Sequence, residues 1–253
     1  MIDLWRAEAR RIGKEEDHSQ EVVLSLFDRT GNWSKPYREA GYDVRQYDIA
    51  LGDDLLRFLP VADIEAIKDS GKSILGVLAA PPCTSFAVSG ARWWKDEHDV
   101  QSPQMVAKKY GEWASVYFDS PLEYAKTLVH AVEVIIELAQ PEFYAIENPV
   151  GRLAKVMGFP HPLLSFDPCD YGDPYTKRTH LWGRFNPELP FNRVYPSLGS
   201  LIHRLRGDHA RDKARRSATP LGFSYAFFMA NHGAPAGAVQ MTLLDGVFRE
   251  ATA

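Results

Sequence analysis

Residues 21–31 read EVVLSLFDRTG, a short apolar run that stops abruptly at a polar turn. The run is too short for a typical helix and is rich in valine and leucine, so it predicts a buried strand over Glu21–Phe27. Similar runs predict further strands over Tyr42–Tyr47, Ser73–Ala80 and Glu142–Ile146. The chain therefore begins with the pattern of a strand-rich core rather than a helical bundle.

Helical stretches separate these predicted strands, over Trp33–Ala40, Leu55–Asp69 and Pro121–Leu138. Strands that alternate with helices are typical of βαβ units, and they predict an α/β fold with a Rossmann-like, doubly wound parallel sheet. Farther along, Phe166–Trp182 is predicted to be a pair of strands with a turn at residues 172–174.

Composition limits the class of protein. The 253 residues carry a net charge of −4 and contain two cysteines, which excludes a disulfide framework and a zinc cluster. No apolar run approaches the roughly 20 residues of a membrane span, and the N-terminus lacks a signal peptide. We expect a cytoplasmic protein with no metal and no membrane contact.

The pattern divides the chain into four parts. Residues 1–20 are predicted to be a helical extension, 21–183 the catalytic core, 184–216 a short basic segment, and 217–253 a segment that returns to the core. The basic segment is either a solvated helix or a local patch for nucleic-acid phosphates, which a chain of this net charge would need.

Polar residues follow the predicted strands at the point where each one ends: Asp28, Asp48, Cys83 and Glu147. Ligands bind beyond the carboxyl ends of such strands, so we expect one shared site. A free cysteine is usually a small buried hydrophobe, but at a loop start it can become a thiolate nucleophile. A carboxyl beside it, with a raised pKa, can donate a proton. Such a pair suits addition to an electron-poor ring.

Short motifs occur in a fixed order between Val22 and Asn231: Phe27-Asp28-Arg29-Thr30-Gly31, then Asp48, Pro82-Cys83 with Phe86, Glu147-Asn148, and the run from Tyr171 to Arg178. In this order and spacing they resemble the cytosine-C5 DNA methyltransferase family, particularly its compact bacteriophage members. The resemblance implies the S-adenosylmethionine-dependent methyltransferase type of fold, double-stranded DNA as substrate, and the cytoplasm of a bacterial host as location.

The resemblance also implies a mechanism. The Cys83 thiolate would add to C6 of a cytosine flipped out of the duplex, while Glu147 bonds to N3 and the exocyclic amine. Carbon 5 would then take a methyl group from S-adenosylmethionine, and loss of its proton would expel Cys83. Lys177 or Arg178 would hold the O2 atom of the base or an adjacent phosphate.

Other site residues are expected from the same resemblance. Cofactor contacts are expected at Phe27, Asp28, Arg29, Thr30, Gly31, Trp33, Asp48, Pro81 and Asn231. Substrate contacts are expected at Thr84, Ser85, Phe86, Ser89, Arg92, Asn148, Pro149, Thr179, Arg204, Arg206, Arg215 and Arg216. Two alternatives stay open: Trp33 lines the cofactor pocket or is core, and Trp93, Trp94 and Trp113 stack on bases or anchor a long loop over 85–120.

The sequence also departs from the family pattern. Arg29 replaces a glycine of the cofactor loop, so it either pairs with Asp28 or Asp48 or contacts an extra carboxylate on a modified S-adenosylmethionine. The recognition region is short. Three alternatives therefore remain: the same chemistry on RNA or a free cytosine nucleotide, transfer of a carboxymethyl group, and a non-catalytic, DNA-binding anti-restriction protein.

Overall fold

A computed structural model describes residues 1–56, 60–200 and 215–233, and the backbone of 239–240. Its centre is a seven-stranded sheet in the order β2-β1-β3-β4-β6-β5, with β7 beside β6. The strands are β1 (Glu21–Leu26), β2 (Asp43–Tyr47), β3 (Ser73–Ala79), β4 (Phe143–Pro149), β5 (Leu164–Phe166), β6 (Thr179–Phe185) and β7 (Val239–Gln240). This sheet confirms the predicted Rossmann-like α/β class.

The α-helices are α1 (Ile2–Glu15), α2 (Lys35–Glu39), α3 (Val61–Asp69), α4 (Pro103–Tyr110), α5 (Glu112–Tyr117), α6 (Pro121–Ala139), α7 (Leu153–Met157) and α8 (Leu221–Asn231). Alternate residues of β1 face opposite layers: Val22 and Leu24 pack in the core with α3 and α6, whereas Val23 packs in the core with α1, α2 and α8. Both faces of the sheet are thus covered, as expected for a doubly wound fold. Among the described residues, no helix is long and apolar enough to cross a membrane.

The sheet is not wholly parallel. Strands β2, β1, β3 and β4 are parallel, but β6 runs antiparallel to β4, β5 and β7. The predicted strand pair over Phe166–Trp182 is confirmed as β5 and β6, although both strands extend outside that range. Because β6 returns along β4, the turn before β6 lies at the carboxyl edge of the parallel strands.

Several predicted boundaries were wrong. Strand β1 ends one residue early, because Phe27 has a φ of 59°. Helix α3 begins only after Pro60, and Leu55 precedes it in a turn. The stretch after Cys83 was expected to be a loop but contains α4 and α5. Its helix start was visible in the sequence, since Ser102 caps α4 by accepting from the Met105 N–H and Pro103 follows it.

Glycine is required at one position where β6 pairs with β4. Gly183 has a φ of 144°, and a Cβ there would lie 2.1 Å from the Tyr144 carbonyl oxygen. We predict that Gly183→Ala lowers the free energy of unfolding by about 1–3 kcal/mol, because β4 and β6 must separate. Chemical denaturation measures this, with Gly233→Ala as control since a Cβ there meets nothing within 4 Å. Equal losses in the two variants would contradict the prediction.

Candidate active site

The polar residues predicted to share a site do emerge at one edge of the sheet. Pairing of β3 with β4 ends at Ala79 and Ile146, so Glu147 is the first residue beyond it and Cys83 follows shortly after β3. Pairing of β1 with β2 ends at Leu26 and Tyr47, so Asp28 and Asp48 follow at the same edge.

Three ionisable groups interact at this edge. Cys83 is half-buried, and Glu147 and Lys177 are each 8% exposed. Burial raises the pKa of the Cys83 thiol, the positive charge of Lys177 lowers it, and the negative charge of Glu147 raises it. Burial also raises the pKa of the Glu147 carboxyl, against a smaller lowering by Lys177. A thiol, a carboxyl whose pKa is raised by burial and a cation thus share one largely buried site.

Lys177 is expected to control the protonation of Cys83. Its charge lowers the pKa of the thiol and of the Glu147 carboxyl, so Lys177→Met should raise both. The thiolate fraction at neutral pH should fall, and the pH profile of Cys83 alkylation by iodoacetamide should move to higher pH. Peptide mass spectrometry measures this rate, with buried Cys169 as an internal reference. Lys177→Arg keeps the charge and should keep the profile; an unmoved profile in Lys177→Met would contradict the prediction.

The main chain around Cys83 is fixed. Phe86 and Ala87 donate backbone N–H bonds to the Cys83 carbonyl at 2.9 and 2.8 Å. The Asn148 Nδ2 atom donates to the Pro81 carbonyl at 3.0 Å, which ties the nucleophile loop to the end of β4. The Asn148 Oδ1 atom is buried without a hydrogen-bond partner among the described residues.

Two residues beside Cys83 that were expected to contact substrate are buried in the structure. Ser85 is 1% exposed, and its Oγ lies 3.0 Å from the His98 Nδ1 atom. Phe86 is completely buried in the core that includes α6. Thr84 is exposed, so it is the side chain of this motif that remains open to a ligand.

The structure distinguishes Lys177 from Arg178. Arg178 is half-exposed, and its Nη1 atom lies 3.5 Å from the Asp167 Oδ2 atom. Buried Thr179 donates from Oγ1 to the Lys177 carbonyl at 2.7 Å, so it too is structural. Pro149 is buried within β4. Of the two cations expected to hold the base, Lys177 is the one that acts on Cys83 and Glu147.

The loop after β1 is held in shape by Asp28. This carboxylate is 4% exposed, and its Oδ2 atom accepts from Ser25 Oγ at 3.0 Å, Ser34 Oγ at 3.2 Å and the Ser34 N–H at 3.3 Å. Thr30 Oγ1 lies 3.4 Å from the Asp28 Oδ1 atom, and Gly31 has a φ of 65°. Asp28 therefore shapes the loop that follows β1 at this edge of the sheet.

Asp48 is the carboxylate at this edge that fits a cofactor. It is half-buried, burial raises its pKa, and it accepts N–H bonds from Ala50 and Arg29. The Arg29 guanidinium also lowers the pKa of Asp48, although no ion pair within 4 Å joins them among the described residues. Ile49 beside it is 66% exposed. A carboxylate next to an exposed apolar side chain fits the ribose and base of a nucleoside cofactor.

Two residues expected near the cofactor are buried in the structure, and for Trp33 this is the core alternative. Trp33 is completely buried, and its ring centroid lies 5.9 Å from that of Phe223 in the core against α8. Asn231 donates from Nδ2 to the Asn186 and Phe227 carbonyls and accepts the Asn186 N–H at 2.7 Å. Asn186 follows β6, so Asn231 lies at the opposite edge of the sheet from Glu147.

The tryptophans after Cys83 have different positions. Trp93 is 43% exposed, with the Arg92 guanidinium 4.7 Å from its ring centroid. Trp94 and Trp113 are half-buried and anchor the segment, Trp94 beneath Arg152 and Trp113 against the α6 residue Tyr124. Ser89 is exposed near Trp93. The alternative of stacking on bases therefore remains open only for Trp93.

The basic segment is described in part. Arg204 and Arg206 lie outside the described residues, and Arg215 is exposed. The positive charge of Arg216 lowers the pKa of Cys83, so this arginine lies within electrostatic range of the thiol.

Sequence reasoning missed Tyr175. Burial and the negative charges of Asp173 and Glu147 raise the pKa of this phenol, so it lies within electrostatic range of the Glu147 carboxyl. Among the described residues, no cluster of three or more His, Cys, Asp or Glu side chains can hold a metal ion.

No family model and no curated protein matches the chain. One similar solved structure is a provisionally assigned DNA modification methyltransferase encoded within an E. coli prophage. It is 16% identical with a TM-score of 0.44, and the alignment covers 75% of this chain. The chain spans 55% of that protein's length.

Proposed function

We propose that this protein transfers a methyl group from S-adenosylmethionine to C5 of cytosine in double-stranded DNA, through a covalent bond between Cys83 and C6. One observation supports this above all: Cys83, Glu147 and Lys177 interact electrostatically at the carboxyl edge of a Rossmann-like sheet. This set provides what addition to a cytosine ring requires, namely a nucleophile, a proton donor and a cation.

Each group has a defined part in the reaction. Burial raises the pKa of Glu147 and so favours the protonated carboxyl, which donates its proton to N3 and makes C6 electrophilic. The Cys83 thiolate forms a bond to C6, and the displaced electron pair makes C5 nucleophilic. Lys177 stabilises the thiolate before addition and the negative charge near O2 afterwards. S-adenosylmethionine supplies an electrophilic methyl group when bound. After C5 gains the methyl group, a base removes the C5 proton, the C6–sulfur bond breaks and the thiolate leaves. The N3 proton returns to the Glu147 carboxylate, which restores the starting state.

Cofactor binding is assigned to the edge beside this site. The Asp48 carboxylate would hold ribose hydroxyls, and Ile49 would cover the adenine ring. The backbone of the loop from Phe27 to Gly31 and the fixed Pro81 would place the methionine end near Cys83. Exposed Arg29 is the residue that would meet an additional carboxylate if the cofactor were a carboxylated derivative.

DNA contact has to come from local features, since the chain carries a net charge of −4. The target base has to leave the stack, because C6 is inaccessible within a duplex. Trp93 with Arg92 can stack on exposed bases, and Arg215 and Arg216 can contact phosphates near Cys83. With so short a recognition segment, phosphate contacts dominate and we expect little sequence specificity.

Mass spectrometry of nucleosides from cells that express the protein tests this function, with Cys83→Ala as control. We expect 5-methylcytosine in DNA that the control lacks. Modified cytosine in RNA or in the nucleotide pool would favour those substrates, and a carboxymethyl mass would identify a derivative cofactor. Unmodified cytosine in every pool would indicate a binding protein without this activity.

A further inference from the structure

Arg152 joins three parts of the segment that follows Cys83. Its Nε atom donates to the Ser85 carbonyl at 2.8 Å. Its Nη1 and Nη2 atoms donate to the two carboxylate oxygens of Asp99 at 2.8 and 2.6 Å. The guanidinium also lies 4.2 Å from the centroid of the Trp94 ring. One side chain therefore fixes both ends of the stretch from Ser85 to Asp99.

Backbone hydrogen bonds around Arg152 hold the same segment. The Arg152 N–H donates to the Phe86 carbonyl at 2.8 Å, and the Val88 N–H donates to Val150 at 2.9 Å. A Cβ at Gly151 would lie 1.9 Å from the Phe86 carbonyl oxygen, so glycine is needed for this close approach. The approach holds the turn after Cys83 against the chain that leaves β4.

The chemistry of these contacts requires arginine. Only a guanidinium can donate a bidentate pair to Asp99, donate from Nε to Ser85 and stack on Trp94 at the same time. The Arg152 side chain is 14% exposed, and it lowers the pKa of Asp99 chiefly through its hydrogen bonds. Ser85 is held a second time, because its Oγ contacts His98 on the same turn.

We propose that Arg152 is a positioning residue: its contacts fix the turn over residues 85–99 and thereby hold the Cys83 thiol beside Glu147 and Lys177. This inference deepens the proposed function, since a rate effect presupposes methyl transfer. The geometry of the thiol can nevertheless be measured without any substrate. Cys83 alkylation therefore separates failure of this inference from failure of the proposed function.

The test measures the pH profile of Cys83 alkylation by iodoacetamide in the full chain. In Arg152→Gln we expect faster alkylation of Cys83, because release of the turn exposes the thiol. Adding Lys177→Met to this variant should not shift the pH profile further, because the thiol is no longer held beside Lys177. If Arg152→Gln does not fold, Arg152→Lys replaces it in the same measurement, since an ammonium cannot make all three contacts. The control is Arg10→Gln, which breaks a surface ion pair with Glu39. A profile that coincides with the wild-type profile would overturn the inference.

The kinetic prediction is a split between kcat and KM. Displacement of a reacting group by about 1 Å costs on the order of 10²-fold in rate, so we expect Arg152→Gln to lower kcat by about 10–100-fold. The KM for S-adenosylmethionine should stay within about twofold, because Asp48 and its loop are untouched. A rise in KM with unchanged kcat would overturn the positioning role.

Discussion

Cys83→Ala is expected to abolish methyl transfer to cytosine, with a loss of roughly 10⁴-fold or more in kcat, the scale expected when a nucleophile is removed. The thiolate is the group that makes C5 reactive, and neither Glu147 nor Lys177 can replace it. The purified variant is assayed for 5-methylcytosine on duplex DNA, with its thermal unfolding measured in parallel. Cys83 lies on a fixed backbone turn, so the variant should remain folded.

The matched control for Cys83→Ala is Cys169→Ala. Cys169 is buried and lies in the turn that leads into β6, where its backbone bonds to Tyr175 and Val194. We expect this variant to keep its activity and lose a little stability, since a small apolar group is removed from a packed site. Full activity in Cys83→Ala, or an equal loss in both variants, would contradict the role of Cys83.

Glu147→Gln is expected to lower kcat by about 10²–10⁴-fold, because an amide of the same shape cannot transfer a proton to N3. The same change should have the opposite effect on the free thiol. Above the raised pKa of Glu147 the ionised carboxylate raises the pKa of Cys83, so in that pH range Glu147→Gln should lower the pKa of Cys83 and speed alkylation. Slower methylation together with faster alkylation separates a catalytic role from general damage.

Two measurements check Glu147→Gln: single-turnover methylation and the pH profile of alkylation. The control is Glu137→Gln on the exposed face of α6, which should leave both unchanged. If Glu147→Gln slowed both reactions, the structural contribution of Glu147 within β4 would explain the result better than proton donation does.

The burial of Glu147 and Lys177 is more typical of functional sites than of structural ion pairs. Glu147 and Lys177 are buried, and no ion pair within 4 Å joins them among the described residues. Burying ionisable groups without a close partner destabilises a fold, because their charged forms lose solvation. Such placements are concentrated at functional sites, where shifted pKa values are useful.

The sequence predicted the sheet and its edge because both depend on local patterns. Short apolar runs such as 21–26 and 73–79 are recognisable by length and composition, and the polar residue after each one necessarily lies at the carboxyl edge. The choice between Lys177 and Arg178 was not predictable in this way, because both residues precede β6 and the alternation of a strand does not extend to them.

Other features depend on contacts between distant residues. Trp33 and Asn231 were assigned by resemblance to a motif, but their environment is set by α8 and by Asn186, which no local pattern predicts. Arg152 and Asp99 are separated by 53 residues and carry no motif. Their contact requires the complete arrangement of β4 and the turn after Cys83.

The most direct test of the central claim is covalent trapping on duplex DNA that contains 5-fluorocytosine in random sequence. Fluorine replaces the C5 proton, so the step that expels Cys83 cannot occur and the bond to C6 should persist. With S-adenosylmethionine present, we expect a denaturation-resistant complex whose cross-linked peptide contains Cys83. If the protein methylates ordinary DNA but forms no such complex, or forms it through another residue, the proposed mechanism is wrong.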